Sequence, residues 1–216
     1  MGRPLSGARI EPGRAGELLA RIHRVGHPAD SIHPWFYEPV DAAELEDLTR
    51  RVGPPVLDRL DDLLATLTVA RADGTPPPAD RLIRCHLDFV PDNVLVDAAG
   101  DPWVIDWENS GGGDPSQELA QAVLAFGGTD VLAGYEAAGG PGRLRSIDDF
   151  RMTFAVQANF LALCLRRAEG SVTHAVAAIL ANLVTVGDAE QLLATLRSRM
   201  PDRRRGFDTI ACSMRL

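Results

Sequence analysis

Three polar residues near the middle of the chain have types and spacing that could support phosphoryl chemistry. Asp88 precedes Asn93 by five positions, and Asp106 follows Asn93 by thirteen. A carboxylate beside an amide oxygen makes a hard-oxygen cation site that suits Mg²⁺ and leaves room for water and phosphate oxygens. A second carboxylate nearby can accept the proton of an attacking hydroxyl. The pattern predicts Asn93 and Asp106 as metal ligands and Asp88 as the proton acceptor.

A short loop and a β-hairpin are expected to bring these residues together. The loop is closed by Pro91, so the side chains on either side of it can point into one pocket. The β-prone runs 94–96 and 103–105 then flank an Ala-Gly-Asp sequence typical of a hairpin turn. Such a hairpin returns the chain to the same edge and brings Asp106 beside Asn93.

The rest of the chain has the apolar periodicity of helices. Leucine, isoleucine and valine recur at helical spacing in 14–25, after Asp41 and from Pro55 onward. Residues 146–200 are predicted to be helical almost throughout. These patterns indicate a mostly α, α+β domain in which helices surround a small β-hairpin.

A further helix is predicted immediately after a glycine run. Asp114 suits its N-cap, Pro115 its first turn, and Gln117 the reciprocal position of a capping box. Leu119 and Phe126 belong to the apolar face of this helix.

The charge balance argues against a nucleic-acid partner. The 216 residues carry a formal charge of −8, and phosphate-backbone binding draws on clustered cationic side chains. An acidic surface would suit a cationic substrate, although acidic proteins are commonly just soluble. Four acidic residues could line a cleft for such a substrate or be solvated helix-end charges: Asp130, Glu136, Asp148 and Asp149.

Cysteine use and apolar run lengths indicate a cytoplasmic protein without a membrane partner. Three cysteines leave one unpaired in any disulfide scheme, which favours a reducing compartment. The longest apolar stretch, about 175–186, is shorter than a bilayer requires, and no signal peptide is evident. Cys85 is expected to pack in the core, and His23, His27 and His33 are expected to be ordinary surface residues.

Three segments in order resemble a known family. Residues 86–93 are similar to the H-x-D-x-x-x-x-N catalytic loop of kinase-fold enzymes. Residues 104–108 look like the I-D-W-E segment of aminoglycoside phosphotransferases, and 113–120 resemble the G-D-P-x-x-D-L-A segment that follows it. The start of the chain matches the stretch after the interlobe hinge. The chain therefore resembles the carboxyl-terminal lobe of the aminoglycoside phosphotransferase family, which is related to choline kinases.

This resemblance implies ATP-dependent phosphorylation of a hydroxyl on a small molecule, with Mg²⁺ and ATP as cofactors. Carried over by position, Asp88 is the catalytic base or hydroxyl-orienting residue. Asn93 and Asp106 hold Mg²⁺ on the nucleotide phosphates. His86 is a structural brace of the loop, and Asp114 is a buried anchor beneath it.

The resemblance also implies the fold and the domain boundaries. Residues 1–200 would form a protein-kinase-like carboxyl-terminal lobe, and 201–216 an arginine-rich tail. Three loop positions depart from the family pattern. Leu87 stands in place of glycine, Phe89 in place of leucine, and Asp92 in place of glycine. The apolar replacements are expected to repack the loop, whereas Asp92 could strengthen cation binding or distort the turn.

The phosphate-covering elements of kinase-fold enzymes are not found in the sequence. All 22 basic residues are arginine, so no lysine can contact the nucleotide phosphates, and no glycine-rich strand pair precedes the hinge-like segment. We therefore expect the amino-terminal lobe to be absent and the isolated chain to bind ATP weakly. The lobe could come from a separate chain, or two copies could associate. The hairpin face that such a lobe would cover is expected to expose apolar area.

A second hypothesis is a non-catalytic, pseudokinase-like lobe that acts as a protein-binding module. Nucleotide-dependent stabilisation would favour the enzyme, and partner-dependent stability without a nucleotide response would favour the module. The substrate is not determined by the fold.

Overall fold

The computed structural model describes residues 9–29, 31–72, 77–168 and 172–199. The arginine-rich segment 201–216 lies outside the described residues, so the predicted boundary of the tail stays a prediction.

Helices make up most of the described chain, and four short strands lie between the fourth and fifth helices. The helices are α1 (Pro12–Val25), α2 (Pro34–Tyr37), α3 (Ala42–Val52), α4 (Leu60–Arg71), α5 (Pro115–Ala125), α6 (Thr129–Ala137), α7 (Arg151–Arg167), α8 (His174–Ala181) and α9 (Val186–Arg199). The strands are β1 (Ile83–Cys85), β2 (Val94–Val96), β3 (Pro102–Val104) and β4 (Gly111–Gly113). The predicted mostly α, α+β class is confirmed.

The predicted hairpin is formed by β2 and β3. The two strands pair antiparallel, with Val94 opposite Val104 and Val96 opposite Pro102. Gly100 has φ 86° in the connecting turn, a conformation that glycine adopts without steric cost. The hairpin therefore returns the chain to its starting edge, as predicted. The second strand begins and ends one residue earlier than the predicted run 103–105.

A second antiparallel pair, β1 with β4, was not predicted. Cys85 lies opposite Gly111 and Ile83 opposite Gly113. A β-carbon on Gly112 would lie 2.1 Å from the carbonyl oxygen of Ser31, so only glycine fits against the crossing segment. Strand propensity misses β4 because a glycine run has no side-chain signature of its own.

Helix α7 lies at the centre of a hydrophobic core formed by several helices. It packs against α2, α3, α4, α5 and α8, and its buried face includes Ala158, Leu161 and Leu165. Beside it, α1 and α6 approach so closely that a β-carbon on Gly16 would lie 1.9 Å from the carbonyl oxygen of Val131. Both α1 and α5 also contact strand β1.

Most predicted helix starts agree with the structure, with two corrections. Asp114 caps α5 as predicted, and the helix expected near Asp41 begins at Ala42, with Asp41 as its N-cap. The helix expected from Pro55 begins at Leu60 instead, because a 3₁₀ turn occupies the residues before it. Gln117 does not complete a capping box, because its side-chain oxygen accepts a hydrogen bond from the Met152 N–H at 3.0 Å, across to α7.

One stretch of the described chain, His174–Ser198, is long and apolar enough to cross a membrane by length and composition. It is longer than the apolar run 175–186 noted in the sequence. Core helices of soluble proteins can have the same length and composition. The stretch consists of α8 and α9, separated where Gln157 of α7 makes hydrogen bonds to both the N–H and the carbonyl oxygen of Val184. This break weighs against a continuous span.

Candidate active site

Asp88 and Asn93 are joined directly by hydrogen bonds. The Asn93 side-chain Nδ2 donates to the Asp88 backbone oxygen at 2.9 Å and to its carboxylate Oδ2 at 3.0 Å. Asn93 is 9% exposed, while Asp88 is half-buried. Because both amide hydrogens are directed at Asp88, the amide oxygen Oδ1 is left as the atom that can ligate a cation. The loop thus places a carboxylate and a potential ligand in one pocket.

The hairpin brings Asp106 to the same loop. The Ile105 N–H donates to the Asn93 carbonyl oxygen at 3.0 Å, so Asp106 directly follows the residue paired with Asn93. Asp106 is exposed and adopts φ 63°, a left-handed conformation that aspartate tolerates better than most residues. In the described chain no hydrogen bond or ion pair engages its carboxylate. The oxygen donors of Asn93 and Asp106 are of the type that Mg²⁺ prefers.

His86 connects the loop to the strand before Asp106. Its ring is fully buried, its Nε2 lies 2.8 Å from the Ile105 carbonyl oxygen, and its Nδ1 accepts the Asp88 N–H at 3.3 Å. These partners assign the neutral tautomer with the proton on Nε2. The Trp107 ring packs edge-on against the imidazole at 4.7 Å. A single side chain therefore ties the backbone of Asp88 to the backbone beside Asp106.

Leu87 occupies a backbone conformation that favours glycine. Its φ is 66°, which costs a non-glycine residue about 1–2 kcal/mol. The side chain is fully buried and packs against Gly113. A β-carbon on Gly113 would lie only 2.8 Å from Leu87 Cδ2. The leucine thus fills space left by the glycines of β4, which offsets part of the backbone cost.

The other two departures leave the loop intact. Phe89 is fully buried and packs against Phe126, with ring centroids 5.6 Å apart. Asp92 is exposed within a regular 3₁₀ turn, Pro91–Asn93. The apolar replacements repack the loop as predicted. Of the two alternatives for Asp92, a distorted turn is not observed.

A buried carboxylate that the sequence analysis missed holds the loop from below. Glu118 on α5 accepts hydrogen bonds from the backbone N–H groups of His86 and Leu87, and its Oε2 lies 2.6 Å from His23 Nε2. Burial raises the pKa of Glu118, but the hydrogen bonds with His23 and the Leu87 N–H outweigh it and leave the pKa below its usual value. Glu118 is therefore an ionised, fully buried acceptor for the start of the loop.

The predicted role of Asp114 as a buried anchor beneath the loop is wrong. Asp114 is half-buried, its carboxylate accepts the Ser116 N–H at 2.8 Å, and its own N–H donates to the Tyr37 hydroxyl. It caps α5, and Glu118, four residues later, makes the contacts to the loop. Two features of the sequence could have identified Glu118. It occupies the second acidic position of the G-D-P-x-x-D-L-A segment, and it lies four residues before Ala122, on the apolar face of the helix.

His23 is buried instead of lying on the surface as predicted. Its Nδ1 lies 2.7 Å from the Tyr135 hydroxyl, which also accepts the Gly142 N–H at 2.9 Å. His23, Cys85 and Glu118 place potential ligand atoms within 4.8 Å of one another. Burial raises the pKa of the Cys85 thiol well above its ordinary value, so the thiolate that a metal needs is disfavoured. Hydrogen bonds account for this cluster without a metal.

A model of the phosphotransferase enzyme family matches residues 8–150. This range includes the catalytic-loop segment, the hairpin and α5. The chain belongs to the phosphotransferase enzyme family. The resemblance identified from the three sequence segments is thereby confirmed. No curated protein matches the chain at a significant level.

Several solved structures are similar to this chain at low sequence identity. A spectinomycin phosphotransferase, solved with ADP and spectinomycin, gives a TM-score of 0.59 at 13% identity, covering 91% of this chain and 70% of its own. A choline kinase from Streptococcus pneumoniae gives 0.51 at 14% identity, covering 88% and 68%. A choline/ethanolamine kinase family protein from Mesorhizobium loti gives 0.46 at 22% identity, covering 87% and 66%. The chain spans about two thirds of the length of these structures.

The hairpin exposes an apolar strip beside Asp106. Its members Trp103, Ile105 and Trp107, in β3 and the residues that follow it, are 55%, 40% and 43% exposed. The expected apolar exposure is confirmed for the hairpin. The first eight residues, which were expected to share that face, lie outside the described residues.

The chain also contains a cleft of about 620 Å³ that the three predicted site residues do not line. The catalytic loop follows Cys85 at one end of the β1–β4 pair, whereas Asp114 and the cleft lie at the Ile83 end. Of the four acids that could have lined a cation-binding cleft, Asp148 and Asp149 line this one and Asp130 and Glu136 do not, and five arginines accompany them. The four acids therefore do not form such a cleft together.

Proposed function

We propose that this chain is the carboxyl-terminal catalytic lobe of an ATP-dependent phosphotransferase that transfers the γ-phosphate to a hydroxyl of a small molecule. Family membership supports phosphotransfer, and the geometry of the loop and hairpin supports the roles of individual residues. The observation that carries the proposal is the pair of hydrogen bonds from the Asn93 amide to Asp88. The pair holds the Asp88 carboxylate and the Asn93 amide side by side and leaves the amide oxygen without a hydrogen bond in the described chain.

Asp88 is the proton acceptor in this proposal. Its carboxylate is half-buried and receives one hydrogen bond from Asn93, which fixes its orientation and leaves acceptor positions for a substrate hydroxyl. As the hydroxyl oxygen bonds to the γ-phosphorus, its proton passes to Asp88. The bond from the γ-phosphorus to the bridging oxygen breaks, and ADP leaves with the electron pair.

Asn93 Oδ1 and the Asp106 carboxylate would hold Mg²⁺. Both are hard oxygen donors, and neither is consumed by a hydrogen bond within the described part of the chain. When bound, Mg²⁺ neutralises charge on the transferring phosphoryl group. His86 keeps the two segments in register through its bonds to the Asp88 N–H and the Ile105 carbonyl oxygen.

The acceptor class is a small alcohol-bearing molecule. The structural relatives include a spectinomycin phosphotransferase and a choline kinase, whose named substrates differ in size and charge but carry hydroxyl groups. The reaction is assigned to the cytoplasm, where ATP is available and the free thiols of Cys85 and Cys164 remain reduced.

The test is ADP release by the purified full chain with Mg-ATP and a panel of aminoglycosides, spectinomycin, choline, homoserine and sugars. Acceptor-dependent ADP release that disappears in Asp88→Asn supports the proposal. A thermal shift with Mg-ATP that is lost in Asp106→Ala supports nucleotide binding even if the acceptor is missing from the panel. The absence of both responses would refute it.

The exposed strip of Trp103, Ile105 and Trp107 favours a second candidate, a lobe that binds a partner protein. Contiguous exposed apolar area beside a functional site is typical of an interface. The partner would be a chain that carries an amino-terminal lobe, or a second copy of this one. Light scattering of the wild type and Trp103→Ser distinguishes self-association: a dimer that dissociates in the variant supports this candidate, and a monomer in both excludes a second copy.

A further inference from the structure

The cleft of about 620 Å³ has an unusual charge composition for a protein with a formal charge of −8. Its volume falls in the ordinary range for small-molecule sites. Residues 77–81, the start of α5 and the loop before α7 form much of its walls. Five guanidinium groups line it, from Arg71, Arg81, Arg143, Arg145 and Arg151.

Two of these arginines are held in place by backbone carbonyl groups. Arg143 donates from Nη1 to the carbonyl oxygens of Gly140 and Gly142. Arg71 donates to the carbonyl oxygens of Pro39 and Val40, in addition to its exposed contact with Asp41. A carbonyl oxygen orients a guanidinium group without neutralising it. The remaining N–H donors are thus positioned before any ligand arrives.

Two other arginines carry charge that no carboxylate offsets directly. Arg81 and Arg145 are exposed and, in the described ranges, form no ion pair. Arg145 is fixed at its backbone, where its N–H donates to Asp149 and its carbonyl oxygen accepts from Arg197. Its side chain is therefore attached to an anchored loop and remains available to a ligand.

Most carboxylates of the cleft already have donors. Asp114 accepts the Ser116 N–H, and Asp149 accepts the N–H groups of Arg145 and Ser146. Asp148 pairs with Arg151 at 2.8 Å. The fourth acid, Glu38, is exposed. The four acids leave the cleft with a small net positive charge, and Arg81, Arg143 and Arg145 form no ion pair with them in the described chain.

The cleft is separate from the catalytic loop. It adjoins the Ile83–Gly113 end of the β1–β4 pair, and the loop leaves from the Cys85–Gly111 end. Each strand residue adds about 3.3 Å. A ligand held by the arginines would therefore lie well beyond the reach of a proton transfer to Asp88.

We propose that this cleft is a second binding site, for a small anion that carries at least two carboxylate or phosphate groups. Guanidinium groups recognise both oxyanions through paired N–H donors, and several converging guanidiniums favour a ligand with more than one anionic group. The site takes an accessory ligand instead of the phosphoryl acceptor, because it lies apart from Asp88. A bound anion would bridge Arg81, after α4, to Arg143 and Arg145, before α7.

The test is isothermal titration of the full chain with citrate and, separately, with pyrophosphate. EDTA in both titrations prevents a metal-dependent contribution from the catalytic residues. We expect saturable, salt-sensitive binding of at least one probe. Binding should weaken about tenfold in Arg81→Ala and in Arg145→Ala. Binding of citrate alone identifies a carboxylate ligand, and binding of pyrophosphate alone identifies a phosphate ligand.

The matched controls are Arg21→Ala, which removes an exposed arginine of α1 that does not line the cleft, and Asp106→Ala. Both should bind the probe as the wild type does. The proposal is overturned if neither probe binds, if Arg21→Ala weakens binding as much as the cleft variants do, or if Asp106→Ala alters it. Circular dichroism verifies that each variant is folded. Failure here would leave the phosphotransfer proposal intact, since Asp88 is not involved.

Discussion

His23 and Glu118 lie 2.6 Å apart, both fully buried, and connect the first helix to the start of the catalytic loop. The same carboxylate accepts the backbone N–H groups of His86 and Leu87. On its other side, His23 reaches the Tyr135 hydroxyl, which receives the Gly142 N–H. Helices α1, α5 and α6 therefore share one hydrogen-bonded chain that ends at the loop.

Replacing Glu118 by glutamine should destabilise the protein by about 3 kcal/mol, because the amide cannot accept all three hydrogen bonds of the buried carboxylate and one donor is left without a partner. Chemical denaturation measures the change. Glu17→Gln is the control, since Glu17 lies on the exposed face of α1. A change in Glu118→Gln as small as that of the control would mean that the buried network contributes little.

The stability of the protein should fall on acidification because of Glu118. Its folded pKa is below the ordinary value of 4.5, so the unfolded chain takes up the proton first as pH falls. The stabilisation is complete above about pH 4.5 and is lost below it, as pH falls through the folded pKa. Glu118→Gln should have a smaller loss in that range. Equal slopes of unfolding free energy against pH for the two proteins would contradict this.

Leu87 should show an inverted preference between alanine and glycine. Both replacements remove a fully buried side chain, which costs about 2–5 kcal/mol, but only glycine relieves the positive φ. Leu87→Gly should therefore be at least as stable as Leu87→Ala. At Leu63, buried within α4, glycine should be worse than alanine by about 1 kcal/mol. Thermal denaturation of the four variants measures the order, and the same order at both sites would argue against strain at Leu87.

Asp88→Asn should reduce phosphoryl transfer by about 10²–10⁴-fold while the melting temperature stays within a few degrees, because the amide cannot accept the hydroxyl proton. Initial rates with the best acceptor of the panel measure the effect. Asp92→Asn, an exposed change in the same loop, is the control and should retain most of the activity. Equal losses in both variants would indicate a general charge effect.

Asp106→Ala should abolish the stabilisation by Mg-ATP without lowering the stability of the free protein. The carboxylate is exposed and, in the part of the chain that the structure describes, has no partner to lose. Differential scanning fluorimetry with and without Mg-ATP measures the shift. A variant that still responds like the wild type would remove Asp106 from the metal site.

Local patterns were sufficient for the loop and the hairpin. The apolar runs on either side of Gly100 determine the β2–β3 pair, and the pairing of consecutive strands through a tight turn is a short-range property. That pairing brings Asp106 to the loop containing Asn93. The N-caps at Asp41 and Asp114 were predictable for the same reason, because each side chain bonds to a backbone group two residues away.

The support of the site was decided by tertiary structure. Glu118 and His23 are 95 positions apart, and a single sequence contains no signal that their side chains meet. The strand β4 exists only because its glycines fit between β1 and the segment at Ser31. The arginine-lined cleft likewise combines segments from after α4, the start of α5 and before α7. Sequence therefore determined the reactive groups and their spacing, whereas burial and contacts between distant segments decided what holds them, because these arise only when the helices pack.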